Sequence, residues 1–315
     1  MPIEPVILFF LLGAIAGLMR SDLKIPGAIY EALSIFLLLA IGLKGGVKLA
    51  QYPLGTLLLT SLVVVGVGAV IPVATFPVLR FLGRMSRADS ASIAAHYGSV
   101  SVVTFSVGVA FLEHKAVSHE GHMIVYLVLL EFPALILGVL LARYGEAGKT
   151  QWGRLFHEVF FGKSILLLIG GLVIGYVAGP DGIKPLDALF FDLFKGVLAF
   201  FLLEMGLVAA SRIADLRRYG VFLVTFAVVT PLLSAVMGTF LAQALGLSQG
   251  GAFLLALLYA SASYIAAPTA MRIAVPEANP ALSIGASLGI TFPFNIFLGI
   301  PLYWWFSELI FRQAN

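Results

Sequence analysis

The chain has 315 residues, of which 60% are hydrophobic and 11% charged, and its mean hydropathy is +1.04. A water-soluble domain carries roughly a quarter charged residues, so there is too little polar surface here to coat a globule and the bilayer must be the solvent for most of the chain. The net charge is only +3, and the absence of cysteine excludes a disulfide framework or a cysteine metal site.

Apolar runs bounded by charges and Gly/Pro breaks give ten segments, at about 5–19, 27–49, 54–80, 89–111, 122–144, 163–179, 186–210, 219–245, 250–272 and 282–311. Only Met1, Pro2, Ile3 and Glu4 precede the first run, with no basic stretch, so it reads as a retained helix. The longest hydrophilic stretch, Tyr144 to Lys163, reads as a short loop. Of the 19 Lys and Arg, six lie on the side of the termini: Lys44, Lys48, Lys115, Lys184, Lys195 and Arg312. The other thirteen lie on the opposite side, so the positive-inside rule puts both termini outside and the Tyr144–Lys163 loop in the cytoplasm of a plasma-membrane protein.

The sequence repeats itself. Gly13 and Gly17 match Gly171 and Gly175 at an offset of 158, and Pro26 matches Pro185 at 159. Gly42-Leu43, ending in Ala50, matches Gly206-Leu207, ending in Ala214, at 164. Tyr97-Gly98-Ser99-Val100-Ser101 matches Tyr259-Ala260-Ser261-Ala262-Ser263 at 162, and Phe132-Pro133 matches Phe292-Pro293 at 160. Any one pair means little in so apolar a chain, but five in order define two halves, 1–144 and 163–315, joined by a linker at 145–162. Each half has five spans, an odd number, so the second must be inverted. Inverted repeats are the mark of alternating-access transporters, with the site at the midplane between the halves.

Two segments cannot be plain helices. Gly98-Ser99-Val100-Ser101 is built from poor helix formers, and its mate continues through Ser263-Tyr264-Ile265-Ala266-Ala267-Pro268. Proline removes a backbone donor and clashes with the preceding turn, which predicts a break in helix nine near Ala266–Pro268. Broken backbone at bilayer depth is tolerated only where protein or a water-filled cavity satisfies it. If helices four and nine both break, two half-helix N-termini can face each other and hold a small anion without Lys or Arg. The expected seat lies between Ser101-Val102-Val103 and Ser263-Tyr264-Ile265, with the hydroxyls of Ser99, Ser101, Ser261 and Ser263 as added donors.

Carboxylates at membrane depth are costly and are expected to be functional or paired. Glu131 stands directly before Phe132-Pro133, and with Ser101, Thr104, Ser263, Thr291 and Asn295 it offers the oxygen and amide groups of a Na⁺ site. Glu204 is either functional or paired with Lys195. His114, His119 and His122 fall in an outer loop with Glu113 and Glu120, at spacings that match no standard metal set. Arg212, Arg217 and Arg218 read as an anchor facing anionic lipid. No Walker loop is present, so ATP-driven transport by this chain is not indicated.

Several strings resemble the sodium-dependent bicarbonate transporter family first known from cyanobacteria, over nearly the whole chain. They are Ile41-Gly42-Leu43-Lys44-Gly45-Gly46, Gly98-Ser99-Val100-Ser101, Phe132-Pro133-Ala134-Leu135, Met205-Gly206-Leu207 with Ser211-Arg212-Ile213, and Ala278-Asn279-Pro280 followed by Ile284-Gly285-Ala286-Ser287. The resemblance implies an all-α membrane fold of ten helices in a five-plus-five inverted repeat. Helices 1, 2, 6 and 7 would form a gate or scaffold, and helices 3, 4, 5, 8, 9 and 10 a core in which broken helices four and nine cross. It also implies Na⁺-driven symport of a small anion, bicarbonate first, by a homotrimer that needs no other cofactor. The chain departs from cyanobacterial members in two places: Tyr264 stands where they carry Asp, and the loop between the halves is short.

The competing readings are Na⁺ symport of another small organic anion and cation/proton antiport. Antiport needs paired acids beside the crossing, and neither broken segment contains one. A receptor would need no broken helices, and no Ser/His or carboxylate pair stands at a spacing suited to an enzyme. The expected partners are the anion, Na⁺ and lipid, with no nucleic acid.

Overall fold

In a computed structural model, the chain is described over residues 5–50, 57–144 and 152–313, and these residues are helical, with short turns and no strand among them. The helices are α1 (Pro5–Leu18), α2 (Gly27–Leu49), α3 (Leu57–Leu82), α4 (Arg87–Gly98), α5 (Val102–His114), α6 (Met123–Arg143) and α7 (Trp152–Phe161). They continue as α8 (Lys163–Ile183), α9 (Ala188–Ser211), α10 (Gly220–Ala244), α11 (Gln249–Ala260), α12 (Ala266–Ala274) and α13 (Pro280–Phe311). Among the described residues, eight stretches are long and apolar enough to cross a membrane, α4 and α5 together making one of them, while α1 and α11 are apolar but shorter. The chain is a multi-pass membrane protein. The first residues of the third expected span and residues 145–151 of the linker lie outside the described residues.

Two helix pairs meet backbone to backbone through glycine. A Cβ on Gly206 of α9 would lie 2.1 Å from the Phe10 carbonyl oxygen of α1, and one on Gly13 would lie 2.0 Å from that of Leu203. The α2–α8 pair is built the same way: a Cβ on Gly46 would stand 2.1 Å from the Leu172 carbonyl oxygen, and one on Gly175 would stand 2.3 Å from that of Leu43. Small residues permit this closeness in lipid, where dispersion and not water exclusion drives helix association.

The two interrupted helices sit in the middle of the protein. Every residue of α11 from Gly250 to Ala260 is buried, as is every residue of α4 from Ser90 to Gly98. Both begin with a serine N-cap. Ser86 Oγ accepts from the Asp89 N–H at 3.0 Å, and Ser248 Oγ accepts from the Gly251 N–H at 3.1 Å. Each capped first turn is tied to the loop after the other interrupted helix. The Asn279 N–H donates to Asp89 Oδ1 at 2.7 Å, and the Ser248 N–H donates to Glu120 Oε1 at 2.5 Å.

Three expectations are corrected. Helix nine breaks at Ser261–Ile265, upstream of Ala266–Pro268, and Pro268 is the third residue of α12. A first-turn residue has no intrahelical N–H bond to lose, so proline is tolerated there. The linker, expected to be a plain loop, contains α7, whose Leu155 is fully buried and whose Phe160 stacks on Phe132 at 4.9 Å. Lys195 lies 3.7 Å from Glu113 rather than being paired with Glu204, and Lys44 reaches the same carboxylate at 3.4 Å.

The outer loop holds no group of three metal-ligating side chains among the described residues. Lys48 Nζ instead donates to His119 Nε2 at 3.0 Å, while His119 Nδ1 donates to the Glu120 carbonyl at 3.1 Å. Burial, reinforced by the neighbouring Lys48 ammonium, pushes the His119 ring down to about 4, which keeps Nε2 an acceptor.

Candidate functional site

The first interruption spans Ser99 to Ser101. Ser99 is extended at φ −90° and ψ 169°, and Ser101 restarts the chain as the N-cap of α5, its Oγ accepting from the Thr104 N–H at 3.2 Å. Thr104 Oγ1 also donates to Ser101 Oγ at 3.0 Å. In the second interruption, Ser261 is extended at φ −84° and ψ 163°, and Ser263 Oγ accepts from the Ala267 N–H at 3.3 Å.

The two interruptions are stitched together by two bonds. The Ser101 N–H donates to Ser261 Oγ at 2.9 Å, and the Ser263 N–H donates to the His96 carbonyl at 2.8 Å. Ser261 Oγ is used a second time as a donor, to the Leu258 carbonyl at 2.8 Å. These bonds juxtapose the N-termini of α5 and α12. The N–H groups of Val102, Val103, Ile265 and Ala266 have no acceptor among the described residues. Free first-turn N–H groups carry the positive end of the helix dipole and are ready donors to an anion.

A small cavity at this junction is lined by Val100, Ser101, Val102, Glu131, Ser164, Ser263, Tyr264 and Ile265. Ser101, Val102, Ser263, Tyr264 and Ile265, all expected around the anion, therefore surround one space, together with Glu131 from the expected cation shell. Ser99, Val103 and Ser261 are buried but do not line it. The Tyr264 ring packs edge-on against Phe292 at 5.2 Å, with its hydroxyl toward Ser101 but closing no hydrogen bond of good geometry. Glu131 is 3% exposed, and its Oε2 has no hydrogen-bond partner among the described residues. A buried carboxylate oxygen without a donor favours a proton or a cation beside it.

Of the other members of the expected Na⁺ set, Thr104 does not line this cavity and is bonded to Ser101, and Thr291 and Asn295 are engaged elsewhere. Thr291 Oγ1 donates to the Ala227 carbonyl at 2.7 Å and lies 2.6 Å from Tyr97 Oη. Asn295 donates to the Ala260 carbonyl at 2.8 Å and accepts from Tyr303 Oη at 2.8 Å. Neither lines the Glu131 cavity. Both stand where α13 widens into π-helical turns, Gly285–Thr291 and Asn295–Gly299, on either side of Pro293. The wider turn accommodates the proline ring.

The sequence reading did not single out Ser164 or Thr269. Glu131, Ser164 and Ile265 also line a larger cavity of about 200 Å³, shared with Lys163, Thr269 and Gly162, on the linker side. No repeat landmark marks Ser164; its only signal is a hydroxyl directly after Lys163 at the start of a span. On the opposite side, the space between Ile41, Lys44 and Lys48 of α2 and Phe105, Val109 and Glu113 of α5 is narrower, about 60 Å³.

No curated protein matches the chain significantly. The family description "Na⁺-dependent bicarbonate transporter superfamily" matches residues 5–308, almost the full length and both interrupted helices, and the chain belongs to that superfamily.

Proposed function

We propose that this protein is a Na⁺-coupled symporter that carries a small anion, hydrogencarbonate, across the plasma membrane. The observation that carries this reading is the meeting of two helix N-termini, with unpaired N–H groups, over a cavity that also holds the unpaired carboxylate oxygen of Glu131. The N–H groups of Val102 and Ile265, with the hydroxyls of Ser101 and Ser263, seat the anion. Glu131, with Ser101 and Ser263, offers oxygens to Na⁺, so the two ions occupy adjoining parts of one space and each lowers the other's electrostatic cost. Tyr264 fills the place of the family's Asp and narrows the seat.

The chain is read as ten spans in two inverted halves, 1–144 and 163–315, with helices α1, α2, α8 and α9 as the scaffold. Two features support this. The glycines of α1 that meet α9 have repeat mates on α8, where they meet α2, as inverted symmetry requires. The first turns capped by Ser86 and Ser248, 162 residues apart, each engage the loop that follows the other interrupted helix, through Asp89 in the first and through Ser248 itself in the second. Both termini then face outside and the linker faces the cytoplasm. With Lys44 and Lys195 on Glu113 closing the outer side and the 200 Å³ cavity on the linker side, the conformation is inward-facing. Assembly as a homotrimer is carried over from the family resemblance.

Purified protein in liposomes tests the reading. Uptake of labelled hydrogencarbonate should require an inward Na⁺ gradient and should be insensitive to a pH gradient of equal size. Uptake driven by protons alone, or indifference to Na⁺, overturns it. A tag after Asn315 that a protease reaches only from the cytoplasm overturns the orientation.

A further inference from the structure

Another cavity, of about 70 Å³, lies where α4, α12 and the start of α13 meet, and the transport site does not use it. It is lined by Ser92 and His96 of α4, Arg272 of α12 and Ser283 of α13, and walled by Pro268, Pro276 and Pro280. Arg272 is exposed and His96 is fully buried, so the cavity leads from the surface into the protein. Arg272 has no carboxylate or carbonyl partner among the described residues. Glu277, five residues after Arg272, is committed to Arg143 at 2.7 Å, and Asp89, in the first turn of α4, accepts from the Asn279 N–H.

The His96 ring is oriented by its backbone. Nδ1 lies 2.7 Å from the Ser92 carbonyl, so it carries the proton, and in the neutral ring Nε2 is an acceptor. That Nε2 is buried and has no partner among the described residues. A buried acceptor without a donor is costly and marks a position that water or a ligand completes. The cavity therefore joins an unneutralised guanidinium, which wants an oxyanion in bidentate contact, to an acceptor that wants a hydroxyl proton.

We propose that this cavity is a second anion site, selective for an oxyanion that retains one proton, and that hydrogencarbonate is its ligand. Two oxygens of hydrogencarbonate suit the Arg272 fork, and its hydroxyl supplies the donor that His96 Nε2 lacks. The volume holds on the order of five waters, which suits an anion of four heavy atoms. Chloride and sulfate offer no proton and leave Nε2 unsatisfied, a loss of about five- to a hundred-fold in affinity. The choice of hydrogencarbonate over hydrogenphosphate rests on the transport reading, whereas the site's chemistry does not. His96 also connects the two sites, because its carbonyl holds the Ser263 N–H at the second interruption. An anion beside the ring thus sits one residue from the transport seat, on the face that is cytoplasmic in the proposed orientation.

Saturation binding of labelled hydrogencarbonate to the purified full chain tests this, with and without Na⁺ and with chloride, sulfate or inorganic phosphate as competitors. Two components are expected. The one that is independent of Na⁺ should weaken at least about tenfold in Arg272→Gln, and again in His96→Asn, which keeps a polar side chain in the pocket. Arg272→Gln should leave the Na⁺-dependent component and the uptake rate at saturating external anion unchanged. A single component, or one unaltered by Arg272→Gln, overturns the site. Arg272-dependent binding of phosphate without hydrogencarbonate overturns the ligand. Failure of Na⁺-dependent uptake in the unmodified protein overturns the transport reading alone, since the Arg272-dependent component is measured without it.

Discussion

The two interruptions occupy matching places in the sequence yet use their serines differently. In the first, Ser99 Oγ is buried with no partner, while Ser101 caps the next helix through Thr104. In the second, Ser261 Oγ makes two bonds, one of which holds the other interruption by its Ser101 N–H. Strict symmetry would have Ser99 Oγ receive the Ser263 N–H, but the His96 carbonyl takes it instead. The second interruption is also longer, and its continuing helix carries Pro268 in the first turn, where Thr104 stands in α5. The first interruption thus supplies a short, self-capped turn, and the second supplies the hydroxyl that clamps both. The breaks fall 162 residues apart in similar strings, and local hydrogen bonding decides which break holds the other.

The comparison can be broken in four ways, the largest effect first. Ser263→Leu places a branched side chain where the two N-termini converge, and uptake should be abolished while the protein still purifies as folded. Normal transport by this variant would remove the second interruption from the site. Glu131→Gln keeps the shape but removes the charge, so the half-saturating Na⁺ concentration should rise about tenfold, with a smaller change for the anion. Unaltered Na⁺ dependence in liposomes would make Glu131 structural.

Ser261→Ala should cost about 1–3 kcal/mol, because it strands the buried Ser101 N–H, and the thermal midpoint in detergent should fall by a few degrees. Ser99→Ala should cost almost nothing, since no bond is lost. Equal losses in the two variants would show that the interruptions are used alike. The smallest effect is expected for Pro268→Ala. Replacement at a first-turn position should change stability by less than about 1 kcal/mol, whereas a proline that forced the break would be worth about 3.

Much of this was legible in the sequence because lipid leaves few options. Hydrophobic runs placed α2 and α6 to within a residue or two, and the poor helix formers at Gly98–Ser101 marked the first interruption. The second was placed too far downstream because proline was given more weight than the Ser261-Ala262-Ser263 run, although a first turn tolerates proline. Helix α7 was hidden because, among its described side chains, only Leu155 is buried and Phe160 merely stacks on Phe132, an amphipathic pattern that a search for spans passes over. Ser101, Ser263 and Glu131 could be grouped by the residue types a charged ligand needs. Thr291 and Asn295 satisfied the same chemical test, but helix packing gives their oxygens other partners. Composition tells which atoms could bind an ion, and only packing tells which of them remain unspent.

The glycine contacts bear on how fast the molecule can move. Where carbonyl oxygens of one helix sit in the glycine notches of its neighbour, sliding is a ratchet with teeth, because each step must lift backbone over backbone. Where α2 faces α5, by contrast, Ile41, Phe105 and Val109 border a cavity of about 60 Å³, so no backbone is notched into backbone there. Friction is therefore distributed unevenly, with two stiff seams and one lubricated seam, and displacement will follow the lubricated one. Adding a methyl at Gly206 or Gly46 would jam or split a stiff seam, whereas trimming Phe105 would change how quickly the molecule cycles.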